Sequence, residues 1–598
     1  MTTKTMLGQL LTVYFLLLVI FLTPTLAADH SADSWTSKDM GEPGEAEANF
    51  LKLRLLPDGK TFPANFRCDQ RPSACEFQLA YFLADGFDTS KKQRLNILYI
   101  PGGPGAIVDS DSRSAALRLL EKKHNVVYFH PRGMAKSAID GSKEYDRFLR
   151  ADYVVEDIEK LRQELLKTRA WDAIYAHSWG TVIAQRYAAK YGKPKDPNPK
   201  VLSLILSGPV DRHRAETQAA RTRMTLDNLK AIYDYYRSAG AAHCQCASSS
   251  FLKALVTDFS DPQITILDNR LGPSDDFCFL KTAVVDKIVG QLEKIIPDID
   301  ENFGSADFIV DNFSALKKDQ SFQKQFGKFP VEFFAALRYL QMTGAPEKDA
   351  LVFVADSRSR ISAALLIAYY LTAANPGRCS LKEPLFSGAA AECEYCERFK
   401  AARDEVRARM SDRESRRGNY VYGVYDGVAR WISVMMGEKA CFSGQDLARF
   451  ATGSPDGKKF GRDQAKRIGI VANENICPWN PAEFHHEVPT LLIKGSRDAI
   501  VAGCQAEDFL LNGLKDGRGV LLEFRGLGHD LSVGNLYEGS DPSIWSKRFA
   551  ALLEAFIKMS ANVPQFRADS GVREKLAALK VRDRTRDPTV SAQCGKNS

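Results

Sequence analysis

Two hydrophobic periods alternate along the early part of the chain. Short apolar or alternating runs, "FLKLRLL", "CEFQLAYFLAD", "RLNILYI" and "NVVYFH", lie between Phe50 and His130 and predict strands. "YVVEDIEKLRQELLK" follows, with Val155, Ile158, Leu161, Leu165 and Leu166 on one helical face. "WDAIYAHS" predicts a strand, "TVIAQRYAAKY" a helix, and "KVLSLILSGP" a buried strand. The alternation stops near Val210 and resumes at "VPTLLIKGSRDAIV". A helix in "CQAEDFLLNGLKDG", a strand in "GVLLEFRGLGHD" and a helix in "SIWSKRFAALLEAFIKM" complete it. Strands alternating with helices, several of them continuously apolar, predict an α/β fold: a mostly parallel sheet with helices on both faces.

The segment 211–487 reads mostly helical. "AETQAARTRMTLDNLKAIYDYYRSAG" is one long amphipathic run and "PVEFFAALRYLQM" another. A large helical cap is therefore expected, inserted before the strand that starts near 488, with the core in two parts, 49–210 and 488–562. Residues 563–598 are charged and poor in aliphatics after "KLAALKV", which predicts a loosely ordered tail. Residues 28–48 are polar and acidic and read as a linker. The first 27 residues differ again. Lys4 precedes "LGQLLTVYFLLLVIFL", and small residues follow, with Thr25 and Ala27 at the −3 and −1 positions of a cleavage site. They read as a signal peptide, which predicts a secreted or periplasmic protein; an uncleaved membrane anchor is the alternative. No later stretch has the length and purity of a membrane span.

Composition changes this picture little. A net charge of +7, dispersed over 598 residues without a basic stripe, gives no sign of nucleic-acid binding. The 12 cysteines fit an oxidising compartment. Cys68 and Cys75 flank the turn-rich "DQRPSA" and are the best local pair. His243, Cys244, Cys246, Cys393 and Cys396 would supply enough zinc ligands, but they fit no standard finger spacing, and disulfides are the ready alternative. No metal or cofactor is expected.

The chemistry centres on Ser178, in "AHSWG" at the corner between a strand and a helix. Ala176 stands where the usual nucleophile elbow has its first glycine, and it is still small. An exposed serine there needs oxyanion donors, an acid and a base. "PGGPG" (101–105), directly after a strand, suits the donor loop; Gly103 or, alternatively, Gly102 would supply one N–H, and Trp179 the other. Asp498 stands at the end of a late strand. Of the nine histidines only His529, in "RGLGHD", follows it. The order Ser178, Asp498, His529 is the order of a hydrolase triad on this fold. His177 is expected beneath the elbow, and His485 and His486 at the surface.

These features together resemble α/β-hydrolases of the proline iminopeptidase and secreted tripeptidyl aminopeptidase family. The resemblance is carried by "PGGPG", "VVYFHPRGMAKS", "HSWGT", "LLIKGSRDAIV" and "GLGHD", and it covers the sheet domain. Pro101 replaces a family histidine, His130 a family aspartate, and the Trp-x-x-Trp-Glu of the small iminopeptidases is missing. The resemblance implies an aminopeptidase that releases short N-terminal peptides or amino acids. An esterase or lipase would use the same triad, and a non-catalytic binding protein on this fold would normally have a broken one. The expected partner is a peptide or small ester, with no membrane after signal cleavage. Glu332 and Asp426, acids among apolar neighbours in the cap, are candidate anchors for a substrate amine.

Overall fold

The structure is a computed structural model of the chain. It describes residues 48–56, 58, 75–102, 115–137, 139, 148–149, 151–192, 198–210, 218–241, 282–303, most of 306–345, parts of 363–381, 485–501, 504–514, 517–529, 543–579 and 581–585. The expected signal peptide and linker lie outside the described residues.

Among the described residues nine strands form one sheet: β1 (Asn49–Arg54), β2 (Glu76–Leu83), β3 (Asn96–Ile100), β4 (Asn125–Phe129), β5 (Ala173–His177), β6 (Leu204–Ser207), β9 (Thr490–Gly495), β10 (Gly519–Phe524) and β11 (Val581–Asp583). β7 (Ala373–Asn375) and β8 (Ser380–Leu381) pair antiparallel in a separate two-stranded sheet. The spatial order is β1-β2-β4-β3-β5-β6-β9-β10-β11. The six strands from β4 to β10 are parallel, and antiparallel strands close both edges. The central strands are buried on both faces, which explains their unbroken apolar sequences.

Alternation divides their side chains between two cores. Leu98, Ile174 and Leu206 face one core, shared with α2 (Ala151–Leu166), α3 (Trp179–Tyr191) and Ala506 of α8 (Gln505–Asp508). Ile97, Ala173 and Ile205 face the other, shared with α1 (Ala115–Glu121) and α9 (Ser543–Met559). Between β6 and β9, which pair directly, the chain makes α4 (Gln218–Ala241), α5 (Thr282–Phe303), α6 (Gln320–Phe326) and α7 (Val331–Thr343). These helices enclose a third core that includes Leu229, Ile288, Leu292, Phe322, Phe334 and Leu340. Among the described residues, no helix is long and apolar enough to cross a membrane.

Arg132 anchors the chain leaving β4. Its guanidinium is fully buried and meets Asp157 of α2 through two bonds, 2.7 Å from Nε and 2.5 Å from Nη2. It also donates to the carbonyls of Leu55 and Phe148 and stacks near Phe77 and Tyr153. Burial pushes the Asp157 carboxyl up, against the pull of the Arg132 charge. His130 packs on Phe82, and its carbonyl accepts from Ser137.

The expected loose tail is corrected over residues 563–579 and 581–585; residues 586–598 lie outside the described residues. α10 (Val563–Ala568), α11 (Ser570–Ala578) and β11 are folded, and Val563, Phe566, Val572 and Leu579 enter the second core. β11 seals the sheet edge beside β10, and Arg584 reaches Glu523 at 2.8 Å. Four apolar residues at helical spacing among many charges suffice for this, and the high charge density hid them. Phe566 lies edge-on to Phe556 at 5.2 Å and is fully buried. Phe566→Ala should therefore lower stability by about 3–5 kcal/mol. Urea unfolding measures it, and an unchanged midpoint would favour a loose tail after all.

Candidate active site

The site sits at the carboxyl ends of β3, β5, β9 and β10. Ser178 follows β5 and caps α3 with φ 49° and ψ −125°, a conformation that side-chain-bearing residues rarely adopt. Such strain costs about 1–3 kcal/mol and persists only where its surroundings hold it. Here they do. The Ser178 N–H donates to the Ser207 carbonyl at 2.8 Å. The Ser178 carbonyl accepts from the Thr181 N–H at 2.9 Å and from the Thr181 hydroxyl at 2.6 Å. Val210 N–H in turn donates to that hydroxyl. Thr181 is thus a structural support that sequence reasoning overlooked, although "HSWGT" contains it.

The structure brings Ser178, Asp498 and His529 together. Ser178 Oγ lies 2.7 Å from His529 Nε2, and His529 Nδ1 lies 2.9 Å from Asp498 Oδ2. All three side chains are buried. Asp498 Oδ1 accepts from the N–H groups of Ile500 and Val501 at 2.9 and 2.8 Å. Burial acts to raise the Asp498 carboxyl, but His529 and these two N–H donors outweigh it and hold it below the usual carboxylate range. An ionised carboxylate only accepts, so Nδ1 carries the ring proton. In the neutral ring Nε2 then accepts from the serine hydroxyl.

Close approach of backbones makes this meeting possible. A Cβ on Gly208 would stand 2.8 Å from His529 Cε1, and one on Gly180 would collide with the carbonyls of Ile100 and Pro101. Gly102, in the candidate oxyanion loop, comes so near that a Cβ there would lie 3.0 Å from Ser178 Cβ. Trp179, the other expected oxyanion donor, opens α3, so its N–H lies in the first turn of that helix. Gly103 lies outside the described residues.

Two histidine expectations change. His177 is beside the base rather than beneath the elbow, its ring 5.0 Å from that of His529. His486 is buried against Phe509, whereas His485 is exposed. Successive residues of an extended segment point to opposite sides, and that alternation decides between the two. Glu332 is also buried, in the first turn of α7. The other end of α7 meets the His529 loop, where Gly344 bridges Leu527. At 1.5 Å per residue Glu332 lies about 18 Å along the helix axis from Gly344. Asp426 and the His243–Cys396 cluster lie outside the described residues. Among the described residues no group of three His, Cys, Asp or Glu is arranged to hold a metal. Cys75 and Cys504 are disulfide-bonded; Cys68, the expected partner of Cys75, lies outside the described residues.

The family model for the alpha/beta hydrolase fold matches residues 96–358. That span contains Ser178 but ends before Asp498 and His529. No curated protein matches the chain. Among solved structures, the chain is similar to a serine hydrolase from Cycloclasticus zankles, with 12% identity, 86% of this chain and 99% of that one covered, and a TM-score of 0.30. An alpha/beta fold family hydrolase from Bacillus anthracis has 10% identity, coverage of 86% and 100%, and a TM-score of 0.31. An esterase from Exiguobacterium antarcticum has 11% identity, coverage of 81% and 96%, and a TM-score of 0.30. The chain has the α/β-hydrolase fold, a mostly parallel sheet covered by helices on both faces.

Two outcomes follow from the geometry. Gly208→Ala should fold and yet lose about 10²-fold in kcat/KM, since displacing an imidazole by about 1 Å is enough for that. Steady-state kinetics beside a thermal melt would separate this from unfolding. Asp498, with its folded-state pKa depressed, contributes stability above its unfolded value that is lost as pH falls through the folded one. The stability advantage of the wild type over Asp498→Asn should therefore shrink on acidification through the carboxylate range. Denaturant midpoints measured across pH report this difference, and a constant gap would contradict it.

Proposed function

We propose that this protein is a secreted serine hydrolase that cleaves peptides from a free amino terminus. The observation that carries the reading is the unbroken relay from Ser178 Oγ through the His529 ring to Asp498, at 2.7 and 2.9 Å. Ser178 attacks the scissile carbonyl while Nε2 takes its proton. Asp498, kept ionised, stabilises the imidazolium that forms. The N–H of Trp179 and a donor from the 101–105 loop hold the oxyanion; removing one such donor costs about 2.7–4 kcal/mol of transition-state stabilisation. His529 then protonates the leaving amine, and water, activated by the same ring, releases the acyl group.

The preference for a free amine rests on the resemblance of "PGGPG", "HSWGT" and "GLGHD" to the aminopeptidase family. The cap supports it too. It enters between β6 and β9, neighbours whose ends border the site, so it overhangs the site and admits short or terminal segments. Secretion is supported by the signal-like first 27 residues and by the disulfide-bonded Cys75 and Cys504.

One experiment tests both levels. A fluorophosphonate should label the wild type at Ser178 and leave Ser178→Ala unlabelled, with activity lost by several orders of magnitude. Equal labelling of the variant removes the serine nucleophile. With the nucleophile established, free-amine di- and tripeptide amides should be turned over far faster than their N-acetylated forms. Equal rates, or a preference for simple esters, would replace the aminopeptidase with an esterase.

A further inference from the structure

The loops that carry the acid and the base are bonded to each other and, separately, to the cap. The Arg497 N–H donates to the Leu527 carbonyl at 2.9 Å, one residue before Asp498 and two before His529. Asn228 on α4 is fully buried and donates Nδ2–H to the Arg497 carbonyl at 2.9 Å. Only the amide nitrogen can donate to a carbonyl, so this bond fixes the orientation of the side chain. Its Oδ1 is buried and has no hydrogen-bond partner among the described residues. The donated bond is therefore the one polar contact the Asn228 side chain makes there.

The second cap contact is made of backbone. Gly344, just past α7, has φ +75° and forms an antiparallel bridge with Leu527. A Cβ at Gly344 would stand 2.5 Å from Gly528 N and 2.7 Å from Gly526 O. On the other side, a Cβ at Gly495, the last residue of β9, would collide with the carbonyls of Leu527 and Gly528. The peptide just ahead of His529 is thus pressed between a core strand and the cap. Gln341 of α7 closes the circuit by donating to Thr225 Oγ1 of α4 at 3.3 Å. The contacts run from α4 to the acid loop, to the base loop, to α7 and back to α4. Neither helix can shift against the core without pulling on Arg497 or Leu527.

We infer that Asn228 and Gly344 are positioning residues through which the cap sets the alignment of Asp498 and His529. Cap seating then governs the chemical step even for a substrate too small to touch the cap. This rests on Ser178 being the nucleophile. Fluorophosphonate labelling of the wild type settles that point first, so its failure is distinguishable from failure of the positioning role.

The test uses 4-nitrophenyl acetate, whose acetyl group stays at the triad. Asn228→Leu keeps the side-chain size and removes the donor. It should lower kcat on this ester by about tenfold or more, with KM changed less than about twofold. Gly344→Ala should give the same signature, and Asn228→Gln, which retains a donor, should recover much of the loss. Circular dichroism checks folding, and Asn228→Ala, which also lacks the donor, is measured instead if the leucine variant does not fold. Wild-type kcat on the small ester in a folded variant, with only KM for longer substrates raised, would make the cap a binding surface alone and overturn the inference.

Discussion

A hydroxyl, an imidazole and a carboxylate act as one unit only if the loops that bear them approach more closely than a Cβ allows. That steric constraint organises the site. Gly180 lets the elbow settle against the carbonyls of Ile100 and Pro101, Gly208 leaves room for the His529 ring, and Gly495 admits the peptide ahead of it. Each glycine lies at the end of a central strand or just beyond it. The strand order β3-β5-β6-β9-β10 brings those ends side by side, and the two apolar cores fix the strands in that order. Packing of the sheet is therefore the first condition for the chemistry.

Strain and electrostatics meet within this frame. The positive φ at Ser178 is unfavourable by about 1–3 kcal/mol, and three hydrogen bonds at the corner, each worth about 0.5–1.5 kcal/mol, are enough to offset it. The same corner orients Oγ toward His529. Asp498 is removed from water, a condition that by itself favours the neutral acid, yet its N–H donors and the facing ring keep it charged. Buried polar groups of this kind are well specified only when each has a defined partner. Arg132 and Asp157 apply the same rule on the far side of the elbow's strand, where they fasten the chain after β4 to α2.

Much of this was legible in the sequence where the signal is local. Apolar strands between helices gave the sheet, and a serine at a strand-to-helix corner, followed by one late acid and one later histidine, gave Ser178, Asp498 and His529. What stayed hidden depends on contacts between distant segments. A glycine in "MTGAP" does not announce that the backbone beside His529 will lie against it. Asn228 looks like any polar residue of an amphipathic helix until Arg497 comes within reach. His485 and His486 differ only in the side of an extended segment on which each falls. The helices and strand after residue 562 were masked by charge, because four buried apolar residues are few among so many exposed ones.

The serine and histidine that share a hydrogen bond are 351 residues apart in the chain. At ordinary synthesis rates of about 5–20 residues per second, roughly 18–70 s pass between the appearance of one and of the other. Throughout that interval a nascent chain carries the elbow serine without His529, the imidazole its hydroxyl meets in the folded chain. β10, which leads into the base loop, borders in turn on β11, made later still. Under the proposed function the order of translation times activity: the nucleophile is made early and stays inert until β10 and β11 have joined the sheet.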